Sequence, residues 1–117
     1  MIATETSRVT SHFHPLGKLP SDVTTAAQEA LRSSLPFEDR RDFDEAGKGF
    51  IAAPEYQQIM AEAGNVVWDM GSYAFLEEGE DFDSIHPSLQ RQAILNMAYG
   101  LYEVVPDHIY QVRGFDL

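Results

Sequence analysis

Pro87-Ser88-Leu89-Gln90-Arg91-Gln92-Ala93-Ile94-Leu95-Asn96-Met97-Ala98-Tyr99-Gly100-Leu101-Tyr102-Glu103-Val104-Val105-Pro106-Asp107-His108-Ile109-Tyr110-Gln111-Val112-Arg113-Gly114-Phe115-Asp116-Leu117 is the stretch that decides the fold. Pro87 suits the first position of a helix, where its missing N–H costs nothing. Leu89, Ala93, Ile94, Met97 and Ala98 then keep helical spacing, and Gly100 suits the stop, so the spacing predicts a helix over 87–99. Two strand-like runs follow, 101–105 and 109–113, separated by the turn residues Pro106-Asp107-His108. Simple alternation puts Tyr102, Val104, Tyr110 and Val112 on one face. Leu101, Val105 and Ile109 fall on the other, diluted by Glu103, Gln111 and Arg113. A lone two-stranded hairpin is marginal in water, and an apolar strand at a chain end leaves a pairing edge open. The expectation is that this hairpin docks into a larger sheet, or that the chain is a fragment of a longer protein.

Upstream, residues 1–20 are polar and broken by Pro15, Gly17 and Pro20, and read as an N-terminal arm or linker. Ser21 is a candidate N-cap, with Asp22 in the first turn, of a helix to about Ser33 whose apolar stripe is Val23, Ala26, Ala27, Ala30 and Leu31. Pro36 ends it. Residues 37–47 form a charged helical stretch stopped at Gly47, with Glu38–Arg41 and Arg40–Asp44 as candidate ion pairs. Residues 54–69 admit two readings. One is a helix from Pro54 to Ala63 stopped by Gly64, on the spacing of Tyr56, Ile59, Met60 and Ala63. The other is a hairpin of 58–61 with Val66-Val67-Trp68-Asp69 about a turn at 62–65. Ser72 is a candidate cap for a short helix through Leu76. Residues 77–83 form an acidic loop. Trp68, Tyr73 and Phe75 are expected in the core.

The chain's 117 residues fit one small domain, and 44% hydrophobic content supplies a core. Nineteen acids against eight bases give a net charge of −11, which disfavours nucleic acid and anionic membranes as partners. Without cysteine there are no disulfides or thiolate metal sites. No run approaches the ~20 apolar residues of a membrane span. Residues 1–20 hold no apolar signal core, so a cytoplasmic location is the default expectation.

The chemistry-bearing residues do not assemble into a site. His12-Phe13-His14 has a spacing some zinc sites use, but no third or fourth ligand follows, and a structural site needs four. His86 sits at a helix start and His108 in a turn. The acidic run Glu77 to Asp83 lacks the ligand spacing and closing Glu of a calcium loop. No nucleophile–base set, phosphate loop or basic stripe is present, so no catalytic, cofactor-binding or metal residue is assigned.

Several phrases carry a family resemblance: Phe37-x-Asp39-x-x-Asp42-Phe43, Gly49-Phe50-Ile51-Ala52, Val66-Val67-Trp68-Asp69, Tyr73-x-Phe75-Leu76, Pro87-Ser88-Leu89-x-Arg91-Gln92-x-x-Leu95-Asn96, Gly100-Leu101-Tyr102-Glu103-Val104 and Ile109 through Leu117. In this order, from about Leu35 to Leu117, the chain resembles the N-terminal segment of the zinc-dependent alkyl sulfatases (dodecyl sulfate hydrolases), a branch of the metallo-β-lactamase superfamily. His86 stands where that family usually has Asn, and Gln90 where it often has Trp. The resemblance implies an α+β fold: N-terminal helices and short strands leading into the first β-hairpin of an incomplete αββα sandwich, occupying residues 21–117. It also implies, for full-length relatives, hydrolysis of alkyl sulfate esters at a two-zinc site. That site is built from a His-x-His-x-Asp-His run and further ligands downstream of the matched region. His12-Phe13-His14-Pro15 is not that run. The 117-residue chain alone is therefore expected to be inactive, and the zinc ions belong to full-length relatives. The partner expected for the hairpin is the remainder of that domain or a partner sheet, a second copy included. The reading from a different class is a stand-alone acidic α+β interaction module that pairs through its open edge.

Overall fold

The computed structural model describes residues 18–55, 58–79 and 82–115. Helix α1 runs Asp22–Ser34, α2 Arg41–Ala46 and α3 Pro87–Leu95. The strands are β1 Phe50–Ala52, β2 Gln58–Met60, β3 Val66–Asp69, β4 Gly100–Val105 and β5 Ile109–Arg113. A 3-10 helix, Met70–Glu77, follows β3. Two antiparallel sheets result, one in the order β1-β4-β5 and one a hairpin of β2 and β3.

The helices follow from their ends. Ser21 Oγ accepts the Thr24 N–H at 3.3 Å, satisfying one of the orphan donors at the start of α1. The apolar stripe expected there does not become a buried face. Val23 is 80% exposed, while Thr24, Thr25, Gln28, Leu31 and Arg32 are the part-covered positions. A stripe made mostly of alanine buries little area per residue and cannot dictate which side of a helix faces inward. Pro87 starts α3 as expected, and the His86 imidazole accepts the Ser88 N–H at 3.1 Å as its cap. The helix stops at Leu95 rather than 99. Met97 and Ala98 close on Ile94 and Leu95 with tighter i→i+3 bonds at 3.1 Å, and the Ala98 carbonyl then accepts the Tyr102 hydroxyl at 3.0 Å.

Gly100 is accordingly not a helix stop. It opens β4 with φ 139°, and a Cβ there would lie 2.6 Å from the Ala52 carbonyl oxygen on β1. At the other end of the same pairing, Gly49 has φ 75°, and a Cβ would lie 2.1 Å from the Glu103 carbonyl oxygen. Two glycines thus let β1 lie against β4, with Glu103 N–H donating to the Gly49 carbonyl at 2.7 Å. Gly47 stops α2 as read, capping it with φ −86° and its N–H on the last turn. The hairpin of β4 and β5 therefore gains a third strand from within the chain.

The turn at Pro106-Asp107-His108 is as read, with Asp107 at φ 60°, a conformation Asp tolerates better than most residues. The face assignment is not as read. Gly100, Leu101, Tyr102 and Glu103 oppose Arg113, Val112, Gln111 and Tyr110, whereas Val105 opposes Ile109. The register shift between Glu103 and Val105 is a β-bulge, and one extra residue swaps the faces of everything beyond it. Tyr102 consequently shares a face with Gln111 and Arg113. Tyr110 and Val112 lie on the opposite face with Leu101 and Glu103.

Residues 58–69 form the hairpin, not the helix. Ile59 opposes Trp68, Met60 opposes Val66, and Gly64 takes φ 89° in the turn. The β-branched Val66-Val67 run gains a ladder partner this way. The 3-10 helix is capped by Asp69, whose carboxylate accepts the Gly71 N–H at 2.9 Å. Ser72, expected to be the cap, instead donates to the Asp69 carbonyl at 2.7 Å.

The buried hydrophobic side chains among the described residues are Met70, Leu76 and Tyr102. The expected core aromatics gather at its margin. Trp68 stacks on Tyr73 at 5.6 Å between centroids, Tyr73 meets Phe115 at 4.4 Å, and Phe75 meets Phe82 edge-on at 5.9 Å. Trp68 itself stays 38% exposed.

Candidate functional site

The densest group of charged side chains lies where α2 meets α3. Residues 38–40 precede α2, so Glu38 and Arg41 do not share a helical face, and the two expected ion pairs give way to others. Arg41 pairs with Asp39 at 2.6 Å, and its backbone N–H also donates to that carboxylate at 3.1 Å. These two donations, with Arg91 adding a weaker attraction, hold the Asp39 carboxyl below the usual carboxylate range. The same carboxylate raises the Arg41 guanidinium. Arg91 reaches across from α3 and donates to Asp42 at 2.9 Å and to the Asp39 carbonyl at 2.7 Å. The Phe43 ring receives two guanidinium groups, Arg40 at 3.9 Å and Arg91 at 4.9 Å from its centroid.

Beside this group is an open hollow of about 350 Å³, lined by Leu35, Phe37, Asp42, Arg91 and Leu95 among others. Of its charged walls, Asp42 is paired with Arg91 and Asp39 with Arg41. The arrangement is a clasp that fixes α2 on α3. A second clasp joins sheet to helix. Arg113 lies 3.6 Å over the Tyr102 ring and donates to the Ala46 carbonyl, at the last turn of α2, at 2.7 Å. A cation at a helix C-terminus is also favoured by the helix dipole. Neither clasp was visible in the sequence. Arg91 and Asp42, and Arg113 and Ala46, are far apart in the chain, with no local spacing to signal the contact.

Among the described residues no group of three or more His, Asp or Glu side chains is placed to hold a metal ion. The described residues therefore do not fit a zinc site. His86 spends Nδ1 on its cap, and His108 Nδ1 lies 2.8 Å from the Pro106 carbonyl. His12 and His14 lie outside the described residues, as do Glu80 and Asp81 of the acidic run. No helix among the described residues is long and apolar enough to cross a membrane.

What the described residues define is a three-stranded sheet clasped to helices. Comparison with known proteins finds this framework similar to one part of much longer alkylsulfatases. The chain is 48% identical over 101 residues to a linear primary-alkylsulfatase of Pseudomonas sp., a match covering 86% of this chain and 15% of that protein. It is 45% identical over 94 residues to an alkyl/aryl-sulfatase of Saccharomyces cerevisiae, covering 80% and 14%. Among solved structures, a stereoselective inverting sec-alkylsulfatase from Pseudomonas sp. superposes with a TM-score of 0.74 at 47% identity, covering 83% of this chain and 15% of that one. No family model matches the chain. The chain is homologous to the alkylsulfatases along most of its length, and it spans about 15% of the length of the relatives it matches. The mixed helix-and-strand fold with small antiparallel sheets expected from the sequence is the one found.

Proposed function

We propose that this chain is the sheet-opening segment of an alkylsulfatase, whose whole protein hydrolyses alkyl sulfate esters to an alcohol and sulfate. The observation that carries this reading is the agreement of sequence and conformation over the same stretch, 47% identity at a TM-score of 0.74. The segment's contribution is mechanical. Its clasps at Arg91 and Arg113 hold helices against a sheet, and the reacting groups come from elsewhere in the protein. Two zinc ions in a metallo-β-lactamase-type site are part of this proposal, with their ligands outside residues 18–115.

The reading is tested by following the reading frame past the codon for Leu117. A continued frame with further strand-forming sequence and a His-x-His-x-Asp-His run is the expected result. A stop codon directly after Leu117 would overturn the catalytic reading for this gene product. In solution, the purified 117-residue chain is expected to release no sulfate from dodecyl sulfate with zinc added. Zinc-dependent release by the pure chain would place the reacting groups within it after all.

A further inference from the structure

A second hollow, of about 230 Å³, shares Phe37 and Arg91 with the one described above, but its lining differs in kind. Three arginines line it: Arg32 from α1, Arg40 at the cap of α2 and Arg91 from α3, with Phe37, Phe43 and Ile94 as apolar wall. No Asp or Glu is part of that lining, although the chain carries 19 acids against eight bases. Arg32 and Arg91 are each tied to a carboxylate outside it, Arg32 to Glu29 at 2.9 Å and Arg91 to Asp42 at 2.9 Å. Arg40 has no carboxylate partner among the described residues. Its guanidinium lies 3.9 Å from the centroid of the Phe43 ring, which Arg91 also approaches at 4.9 Å.

We infer that this hollow is a binding site for a small organic anion, one with an oxyanion head and a short apolar body, and that Arg40 takes the head. The inference uses only groups of this chain and does not rest on the family reading. Two guanidinium groups drawn to one ring repel each other, and an anion beside them replaces part of that repulsion with attraction. A guanidinium presents a planar fork of donors that suits carboxylate and sulfate oxygens two at a time, and the Arg40 fork is unspent. Phe37, Phe43 and Ile94 are half-buried, so an apolar body laid on them removes more of their surface from water. Sites for drug-sized ligands run to roughly 300–1,000 Å³, so a hollow of this volume takes a smaller body. With a net charge of −11 the chain as a whole repels anions, which makes saturable anion binding a report on this cluster.

The test is an NMR titration of the 117-residue chain with hexanoate and, separately, with hexyl sulfate, read at the Ile94 methyl and the Arg40 Nε–H. Both signals are expected to shift to saturation. The stronger of the two ligands tells whether the head the site takes is a carboxylate or a sulfate ester, and either result supports the site. Hexanol, which lacks the charge, and inorganic sulfate, which lacks the body, should bind at least tenfold more weakly. Arg40 is exposed, so Arg40→Ala leaves the fold intact and should weaken hexanoate at least tenfold. Lys48→Ala, at an exposed cation outside the hollow, should leave hexanoate binding within twofold. Absence of a saturable shift overturns the site. So does binding that is indifferent to Arg40→Ala, or inorganic sulfate binding as tightly as hexyl sulfate. The hexanoate titration is then repeated on a linear primary-alkylsulfatase of Pseudomonas sp. in which this chain replaces the matching segment, and this arm decides if the free chain does not fold. The Ile94 methyl should respond there and lose its response with Arg40→Ala. A folded chimera whose Ile94 methyl ignores hexanoate overturns the site, because the rest of that protein then fills the hollow.

Discussion

Tyr102 and Val112 sit on adjacent strands of one sheet, yet the first is 3% and the second 81% exposed. The difference is not one of hydrophobicity, since both are apolar strand formers. It comes from where a single extra residue was placed. The bulge between Glu103 and Val105 turns Tyr102 toward Arg113 and the end of α3, and leaves Val112 on the opposite side, where it stays exposed. Within the described residues, one side of this sheet holds a buried ring and the other an exposed valine.

The sharpest way to break the contrast is to remove the buried ring. Tyr102→Ala should destabilise the chain by about 3 kcal/mol, because it deletes a packed aromatic, its contacts with Phe50 and Arg113, and its bond to Ala98. Denaturant unfolding followed by the fluorescence of Trp68 measures this. A loss below about 1 kcal/mol would mean that the covered face is no better packed than the bare one. Next in size is Gly49→Ala, expected to cost about 2 kcal/mol, since φ 75° and a backbone oxygen 2.1 Å from the new Cβ force β1 away from β4. Amide exchange of Glu103, whose N–H donates to Gly49, should rise in parallel.

Arg91→Ala should cost about 1 kcal/mol by loosening α2 from α3, with the loss reduced at high salt. Val112→Lys sharpens the comparison from the other side. In the free chain it should change stability by less than about 0.5 kcal/mol, because an exposed position has no packing to lose. The smallest effect is in pH. The folded Asp39 carboxyl titrates below its ordinary value, so its pairing with Arg41 is fully present above that value and is lost as pH falls through the depressed one. Both side chains are exposed, so Asp39→Asn should flatten only a shallow, salt-screened slope in acid stability, measured by thermal unfolding below pH 5.

The elements were legible wherever a local rule had a residue to act on. Ser21 and Asp22 start α1, Pro87 starts α3, and Pro106-Asp107-His108 turns the hairpin, because caps, proline and turn residues work on their immediate neighbours. Gly47 stops α2 as read, whereas Gly100 was misread as a helix stop, since glycine marks unusual φ or close approach without saying which. The hairpin at 58–69 was one of two readings, as a short apolar run fits either period until a partner strand is present. The clasps at Arg91 and Arg113 had no signal at all.

The sequence by itself determined where α1 and α3 start, the turn between the last two strands, the absence of thiolate chemistry and the kinship with alkylsulfatases. These depend on residue types and short spacings. Only the tertiary structure decided which side of the sheet is covered, where β1 lies and which charges meet. A bulge shifts the alternation by one residue, and contacts between distant segments are selected by packing and backbone approach, neither of which is written in any local pattern.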